Sequence, residues 1–438
     1  MRQPPFLDLL QGLRLPLLQA PMAGGPSSLS LVAAVVRAGC IGSFGFAYAS
    51  PARISQDLQS LRAILPRADA GADAGDEAAD TAADTAADAA ADAAADEAGN
   101  DAGDEAGINA GPGQEACPPR PMGAVNANFF VFPESTPLLQ AQVDAAIAAL
   151  LQAMSGLVSP GNELPDNELL LREPADPGVS APFTPGALQV PTAPCTPTLA
   201  AQLEPVWRHR PALLSFHFGL PPAAVIERAQ SLGICVGVTA TRLEEARAIE
   251  EAGADVVIAQ GIEAGGHRGS FDPHAADPGA HTEDLVRSIA RACSLPVVAA
   301  GGIMHGSHIA RMLRAGACAV QLGTAFLACE ESGASPEHKR FLLQEHWRDA
   351  VLTRSFSGRL ARGLHNRFIA RMDGAAVLPF PLQNTLTSAM RQWAQEHGDG
   401  EYQSLWAGSG YRNCRSESVE ALIERLAHEL RQAKIKPR

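Results

Sequence analysis

The sequence predicts an α/β fold, a closed (β/α)8 TIM barrel, and three observations carry that expectation. Eight short β-rich runs recur along the 438 residues. Most are followed by a stretch with helical spacing. The last four are nearly continuous apolar runs, as strands buried on both faces of a parallel sheet must be. Eight such units favour a closed barrel over an open doubly wound sheet.

The runs fall at residues 15–23, 40–46, 123–131, 212–218, 234–240, 255–261, 296–303 and 319–325. Helical spacing follows at 28–38, where Gly39 signals a stop, and at 50–65, 242–252 and 283–292. Beyond residue 330 the pattern is helical over 338–350, 384–396 and 419–433. This region is expected to be a helical cap or small subdomain on the barrel. Aromatic residues make up only 5%, so the core must rest on aliphatic side chains.

Two segments interrupt the pattern. Between residues 68 and 116 there are 14 acids and no bases, with Asp80, Asp84, Asp88, Asp92 and Asp96 spaced by four in an alanine background. Alanine favours helix, but like charges at that spacing oppose it. Residues 67–116 therefore read as a disordered acidic Ala/Asp-rich insertion. A second, Pro-rich polar insertion spans about 160–198. Residues 1–66 then hold strands one and two, 117–330 the rest of the barrel, and 331–438 the helical region.

The net charge of −14 belongs to the acidic insertion, because the rest of the chain carries 34 acids and 34 bases. A near-neutral body offers no footprint for nucleic acid or an anionic membrane. The eight cysteines form no CxxC pair, so reduced thiols and a cytoplasmic setting are expected. The Leu-rich start is broken by Asp8, Gln11 and Arg14, which argues against a signal peptide. No apolar stretch is long enough to cross a bilayer.

Barrel function sits at the C-terminal ends of the strands. Here those ends hold glycines, amides and hydroxyls with few charges, which suits a large polar cofactor. Gly301 and Gly302 let backbone N–H groups approach an anion. Gln321, Leu322, Gly323 and Thr324 add an amide, a second close approach and a hydroxyl. The loops after strands seven and eight are the usual phosphate site of this fold. Ala20, Pro21, Met22 and Ala23 present rigid, uncharged backbone suited to a conjugated ring.

The segment Gln260-Gly-Ile-Glu-Ala-Gly-Gly-His267 starts at the end of strand six. Gly265 and Gly266 would let the chain pass close to a flat ring, and His267 can take a proton near neutral pH. Glu263 is a structural acceptor for backbone or for Arg268. Asn126 and Asn128 share a strand face, and either could bind ligand; Ser215 and His217 share another. His267, His274 and His281 recur every seven residues, but Gly269, Pro273 and Pro278 break any helix that would align them on a metal.

Several stretches together resemble the nitronate monooxygenase family, formerly 2-nitropropane dioxygenase. They are Gln19 to Gly25, Asn128-Phe-Phe-Val131, Gln260 to Gly269, Ala300-Gly-Gly-Ile303 and Gln321 to Phe326. Further matches are Phe356 to Gly363, Asn366-Arg-Phe368, Pro381-Leu-Gln383 and Trp406-Ala-Gly408. The resemblance implies FMN as cofactor and oxidation of alkyl nitronates by O2 to a carbonyl compound and nitrite. It implies that His267 is the base for neutral nitroalkanes. Asn128, Gln260, Gly265, Gly302 and Gln321 to Thr324 match positions that contact FMN. The acidic insertion departs from the family, as does Asn126 beside Asn128. The rivals are an FMN-dependent NAD(P)H reductase on the same barrel and a non-catalytic flavin protein acting through its acidic arm. Monomer and homodimer both remain open.

Overall fold

The computed structural model describes residues 5–65, 122–132, 138–155, 196–344 and 348–435. The acidic insertion and nearly all of the polar one lie outside them. Eleven strands occur among the described residues: β1 (Leu17–Gln19), β2 (Gly42–Gly45), β3 (Met122–Phe130), β4 (Pro211–His217), β5 (Cys235–Ala240), β6 (Val256–Gln260), β7 (Gly266–His267), β8 (Val297–Ala300), β9 (Ala319–Leu322), β10 (Ala350–Thr353) and β11 (Ala361–Leu364).

Eight of them form one parallel sheet in the order β1-β9-β8-β6-β5-β4-β3-β2. The parallel bridge Leu18 to Ile41 joins its two edges, and Gln19 N–H donates to the Ile41 carbonyl at 2.8 Å. The sheet is therefore a closed barrel, and the open-sheet alternative is excluded. All eight predicted runs coincide with a strand, most of them trimmed at the ends, while β3 and β4 begin one residue earlier than their runs.

Side chains of alternate parity fill the barrel. Leu18, Ile41, Leu213, Cys235, Val256, Ile258 and Val298 form its interior, with Phe6 from the helix Pro5–Gln11 packed among them. The opposite faces of the strands pack on a ring of helices. Ser28 and Ser50 begin the first two ring helices, each accepting a backbone N–H three residues on. The eighth ring helix is displaced in sequence. Val419–Ile435 packs between Gly306–Ala315 and Leu29–Arg37, about a hundred residues after β9. Residues 330–418 are thus an excursion between the last barrel strand and its helix.

That excursion is not wholly helical. The pattern expected over 338–350 stops at Leu343, and Ala350 opens β10. β10 pairs antiparallel with β11, and β11 pairs antiparallel with β7. Four-residue strands give too short an alternation to read, and their partner lies elsewhere in the chain. The helix expected over 384–396 is two, Leu382–Leu386 and Ser388–Glu396. Phe356, Phe368, Met390 and Tyr402 form a second core, into which helix Gln140–Met154 contributes Leu150 and Met154.

Candidate active site

The C-terminal ends of the barrel strands open into one cavity of about 780 Å³, a size that suits a cofactor or small ligand. Ala20, Pro21, Met22 and Ala23 after β1, Asn128 on β3 and Gln260 on β6 line it. So do Gly265, Gly266 and His267 around β7, Gly301 and Gly302 after β8, and Gln321, Leu322, Gly323 and Thr324 at the end of β9. Residues spread over three hundred positions meet because each ends, or follows, a strand of one barrel.

The two asparagines separate. Asn128 lines the cavity and donates to Ser215 Oγ at 2.9 Å. Asn126 is fully buried one layer below and donates to Ser43 Oγ at 3.1 Å. Gln19, which the sequence did not single out, shapes the first loop. Its Oε1 accepts from Ser43 N–H, and its Nε2 donates to Ser27 Oγ, which in turn accepts from Met22 N–H.

The loop after β6 is held from within. Gln260 Nε2 donates to the His267 carbonyl at 3.0 Å, while its Oε1 accepts from Gly269 N–H and Arg268 Nη1. Arg268 pairs with Asp277 at 2.7 Å rather than with Glu263. Glu263 instead caps the helix Thr282–Ala292, accepting from Thr282 N–H at 3.0 Å, Thr282 Oγ1 at 2.8 Å and His281 Nδ1 at 2.8 Å. Burial works to raise its pKa, but the bonds from His281 and Thr282 outweigh it and hold Glu263 below the usual carboxylate range.

The two glycines before His267 serve different needs. A Cβ on Gly265 would lie 2.5 Å from the Gly408 nitrogen, so this glycine admits the backbone of residues 407–408. Gly266 has φ of +73°, which an L side chain rarely adopts, and faces open space.

His267 sits in an aromatic box. Phe218, Phe380, Phe130 and Trp406 have ring centroids 5.7, 5.6, 6.1 and 5.5 Å from its own. Phe130, Phe218 and Phe380 also pack on one another there. Phe218 has φ of +79°, a strained conformation for a bulky residue costing about 1–3 kcal/mol. The buried Arg359 guanidinium lies 3.8 Å above its ring and helps to hold it there.

Hydrogen bonds select the tautomer of His267. Its Nε2 meets Ser357 Oγ at 2.8 Å, and Ser357 Oγ also contacts the Arg359 carbonyl at 3.1 Å. A carbonyl only accepts, so the arrangement that satisfies all three has Ser357 donating to Arg359 and His267 donating from Nε2. Nδ1 then keeps its lone pair. His217 Nε2 donates to the His267 carbonyl at 3.2 Å. Burial lowers the His267 pKa to about 3, with the charges of His217, Arg359 and Arg391 adding to the effect. The ring is neutral across the physiological range, with a lone pair on Nδ1.

The cavity wall also contains His338, which meets the Trp406 carbonyl through Nε2 at 3.1 Å. Burial lowers its pKa from 6.5 to about 4. A depressed folded-state pKa contributes stability that is complete above 6.5 and is lost as pH falls toward 4. Lowering the pH from 7.5 to 5 is therefore expected to cost about 2 kcal/mol through this ring alone. Denaturant unfolding of the wild type and His338→Gln at both pH values tests this. The variant should lose about that much of the pH dependence, and an unchanged dependence would refute the assignment.

At the ends of β8 and β9, no hydrogen bond among the described residues takes up the N–H groups of Gly301, Gly302 or Gly323. Gln321 Oε1 is buried without a partner. A buried acceptor without a partner is costly, and the free N–H groups beside it at the cavity wall offer donors to a ligand. Ser357, Arg359, Phe380 and Arg391 reach the site from the excursion. Only the resemblance over 356–363 and 381–383 drew attention to their neighbourhoods, since no local pattern places a distant loop on a barrel mouth.

The barrel is of the (β/α)8 class, with a glycine-and-amide cradle beside a neutral histidine at its strand ends. A family model described as nitronate monooxygenase matches residues 181–429, more than half of the chain. The chain belongs to the nitronate monooxygenase family, a family of oxidoreductases. It is 44% identical over 236 residues to a nitronate monooxygenase of Paraburkholderia phytofirmans, covering 53% of this chain and 64% of that one. A nitronate monooxygenase of Pseudomonas aeruginosa is 45% identical over 238 residues, covering 54% and 67%. The aligned stretch thus spans about two thirds of these relatives. The nitroalkane oxidase structure from Streptomyces ansochromogenes aligns over 97% of this chain and 98% of its own, at 33% identity and a TM-score of 0.71. FabK from Thermotoga maritima shares the fold, with a TM-score of 0.60 at 22% identity over 99% and 98% of the two chains. Among the described residues, no helix is long and apolar enough to cross a membrane.

Proposed function

We propose that this protein binds FMN in the barrel-mouth cavity and oxidises alkyl nitronates, and nitroalkanes by way of the nitronate, with O2 to a carbonyl compound and nitrite. The observation that carries the reading is His267, a neutral proton acceptor in an aromatic box beside a cradle of unpaired polar groups. The residues present fit FMN. The N–H groups of Gly301, Gly302 and Gly323 would hold its phosphate. Gln321, Asn128 and Gln260 would meet its polar edges, and the Ala20 to Ala23 backbone would flank the ring. When bound, FMN supplies electron acceptance from the substrate and passes the electrons to O2.

The chain's own residues do the rest. His267 Nδ1 takes the α-proton of a neutral nitroalkane, and Ser357 keeps the ring turned for it. Phe130, Phe218, Phe380 and Trp406 keep water from the carbanionic substrate. The reading rests on the site and on the family, which both favour a small-molecule substrate, and the unpaired cysteines favour a cytoplasmic setting for it. Anaerobic mixing of the purified yellow protein with propyl-2-nitronate, and separately with NADH, tests it. Nitronate is expected to change the flavin absorbance. Bleaching by NADH alone would overturn the reading in favour of a reductase.

A further inference from the structure

Helix Ser388–Glu396 lays Arg391 against the same cavity that holds His267 and Tyr48. Its guanidinium is fixed by neutral acceptors only. Nη2 donates to the Asn384 carbonyl at 2.7 Å and to Asn384 Oδ1 at 3.2 Å, and Nε donates to Thr387 Oγ1 at 3.3 Å. Nη1 has no hydrogen-bond partner among the described residues. No carboxylate there pairs with Arg391, and its electrostatic neighbour is the Tyr48 hydroxyl. Glu396, on the same helix and the same cavity, forms no ion pair with it.

A half-buried guanidinium that faces a cavity without a counter-ion is completed where a ligand brings the missing charge. The phosphate cradle does not need this cation, because it has backbone donors of its own. The charge of Arg391 is instead felt at His267, which lines the same cavity. A nitronate carries two oxygens in one plane on nitrogen, the same geometry that makes carboxylates good partners for the planar guanidinium fork.

We propose that Arg391, with the Tyr48 hydroxyl beside it, is the anion-recognition element of the substrate pocket and grips the paired oxygens of the nitronate. The inference rests on the nitronate reading and deepens it. The pocket selects a planar oxyanion over the neutral nitroalkane through one named side chain. For a neutral substrate, Arg391 stabilises the anion only as His267 removes the proton.

Calorimetric titration of the FMN-loaded enzyme with nitrate, a planar oxyanion with no carbon to oxidise, tests the site apart from turnover. At constant ionic strength Arg391→Gln is expected to weaken nitrate binding about 10- to 100-fold, and Arg391→Lys to recover part of the loss. The KM for propyl-2-nitronate should rise in parallel while the KM for neutral 2-nitropropane stays near wild type. Nitrate binding equal in wild type and R391Q would overturn the proposal, as would no binding to wild type. If R391Q does not fold, Tyr48→Phe replaces it, with a loss of about 3- to 10-fold expected for one hydroxyl, and undiminished nitrate binding overturns the pairing. Arg391-dependent nitrate binding in an enzyme that oxidises no nitronate would leave the anion site standing and reject the nitronate reading.

Discussion

Replacement of His267 by asparagine is expected to slow oxidation of neutral nitroalkanes by about 10²- to 10⁴-fold, the usual contribution of a positioned general base. A nitronate prepared beforehand has already lost its α-proton and should be oxidised at close to the wild-type rate. The geometry explains the split. Nδ1 holds the free lone pair because Nε2 is committed to Ser357. A pKa lowered to about 3 by burial and neighbouring cations would make a weak base in isolation. The nitronate formed beside it supplies a negative charge that offsets this, so the proton is stabilised only as the carbon gives it up. The ring stays neutral well below the ordinary histidine pKa, so the acidic limb of kcat/KM for nitroalkanes should lie below pH 5. Oxygen uptake with 2-nitropropane and with propyl-2-nitronate measures both. Equal losses on the two substrates would mean that His267 acts in something other than proton removal.

Arg268→Met is expected to lower folding stability by about 3–5 kcal/mol, the effect of breaking a buried ion pair from one side. Arg268 is 1% exposed. Its Nε meets Asp277 at 2.7 Å, and its Nη1 donates to the Gln260 carbonyl, to Gln260 Oε1 and to the Gly261 carbonyl. Removal leaves a half-buried carboxylate without its cation and takes one donor each from Gln260 Oε1 and the Gln260 and Gly261 carbonyls, just under the loop after β6. Asp277→Asn in the same chain should recover part of the loss, because the orphaned charge is then gone. Urea unfolding of the two single variants and the double variant completes the cycle. A loss below about 1 kcal/mol in R268M would show that the network reorganises at little cost.

The barrel was legible because parallel strands buried on both faces must be apolar throughout, as 255–261 and 296–303 are. Gly301, Gly302 and His267 were legible as candidates because a barrel puts function at strand ends. Gly265 was legible as a constraint but not for its cause, since the Gly408 backbone that lies on it belongs to another part of the chain. β10 and β11 escaped notice because each is four residues long and the strand that β11 joins is the two-residue β7. Ser357, Arg359, Tyr48 and Arg391 escaped for a related reason. Nothing local distinguishes a serine that orients a histidine from one in a solvated turn; the folded excursion brings Ser357, Arg359 and Arg391 to the site, and Tyr48 reaches it from the loop after β2.

The displaced eighth helix gives that excursion a mechanical character. Both of its ends are fastened to the barrel, one through β9 and the other through Val419–Ile435, which is wedged between Leu29–Arg37 and Gly306–Ala315. Segment 330–418 is a handle with two feet and not a tail with a free end. A single cut in it leaves both pieces anchored, so the side chains it delivers to His267 stay at high effective concentration near the barrel mouth. Loss of the site by fraying would require the eighth helix to leave the ring first, which exposes Leu422, Ile423 and Leu426 to water. Retention of the substrate-facing wall is in this way tied to the integrity of the barrel itself.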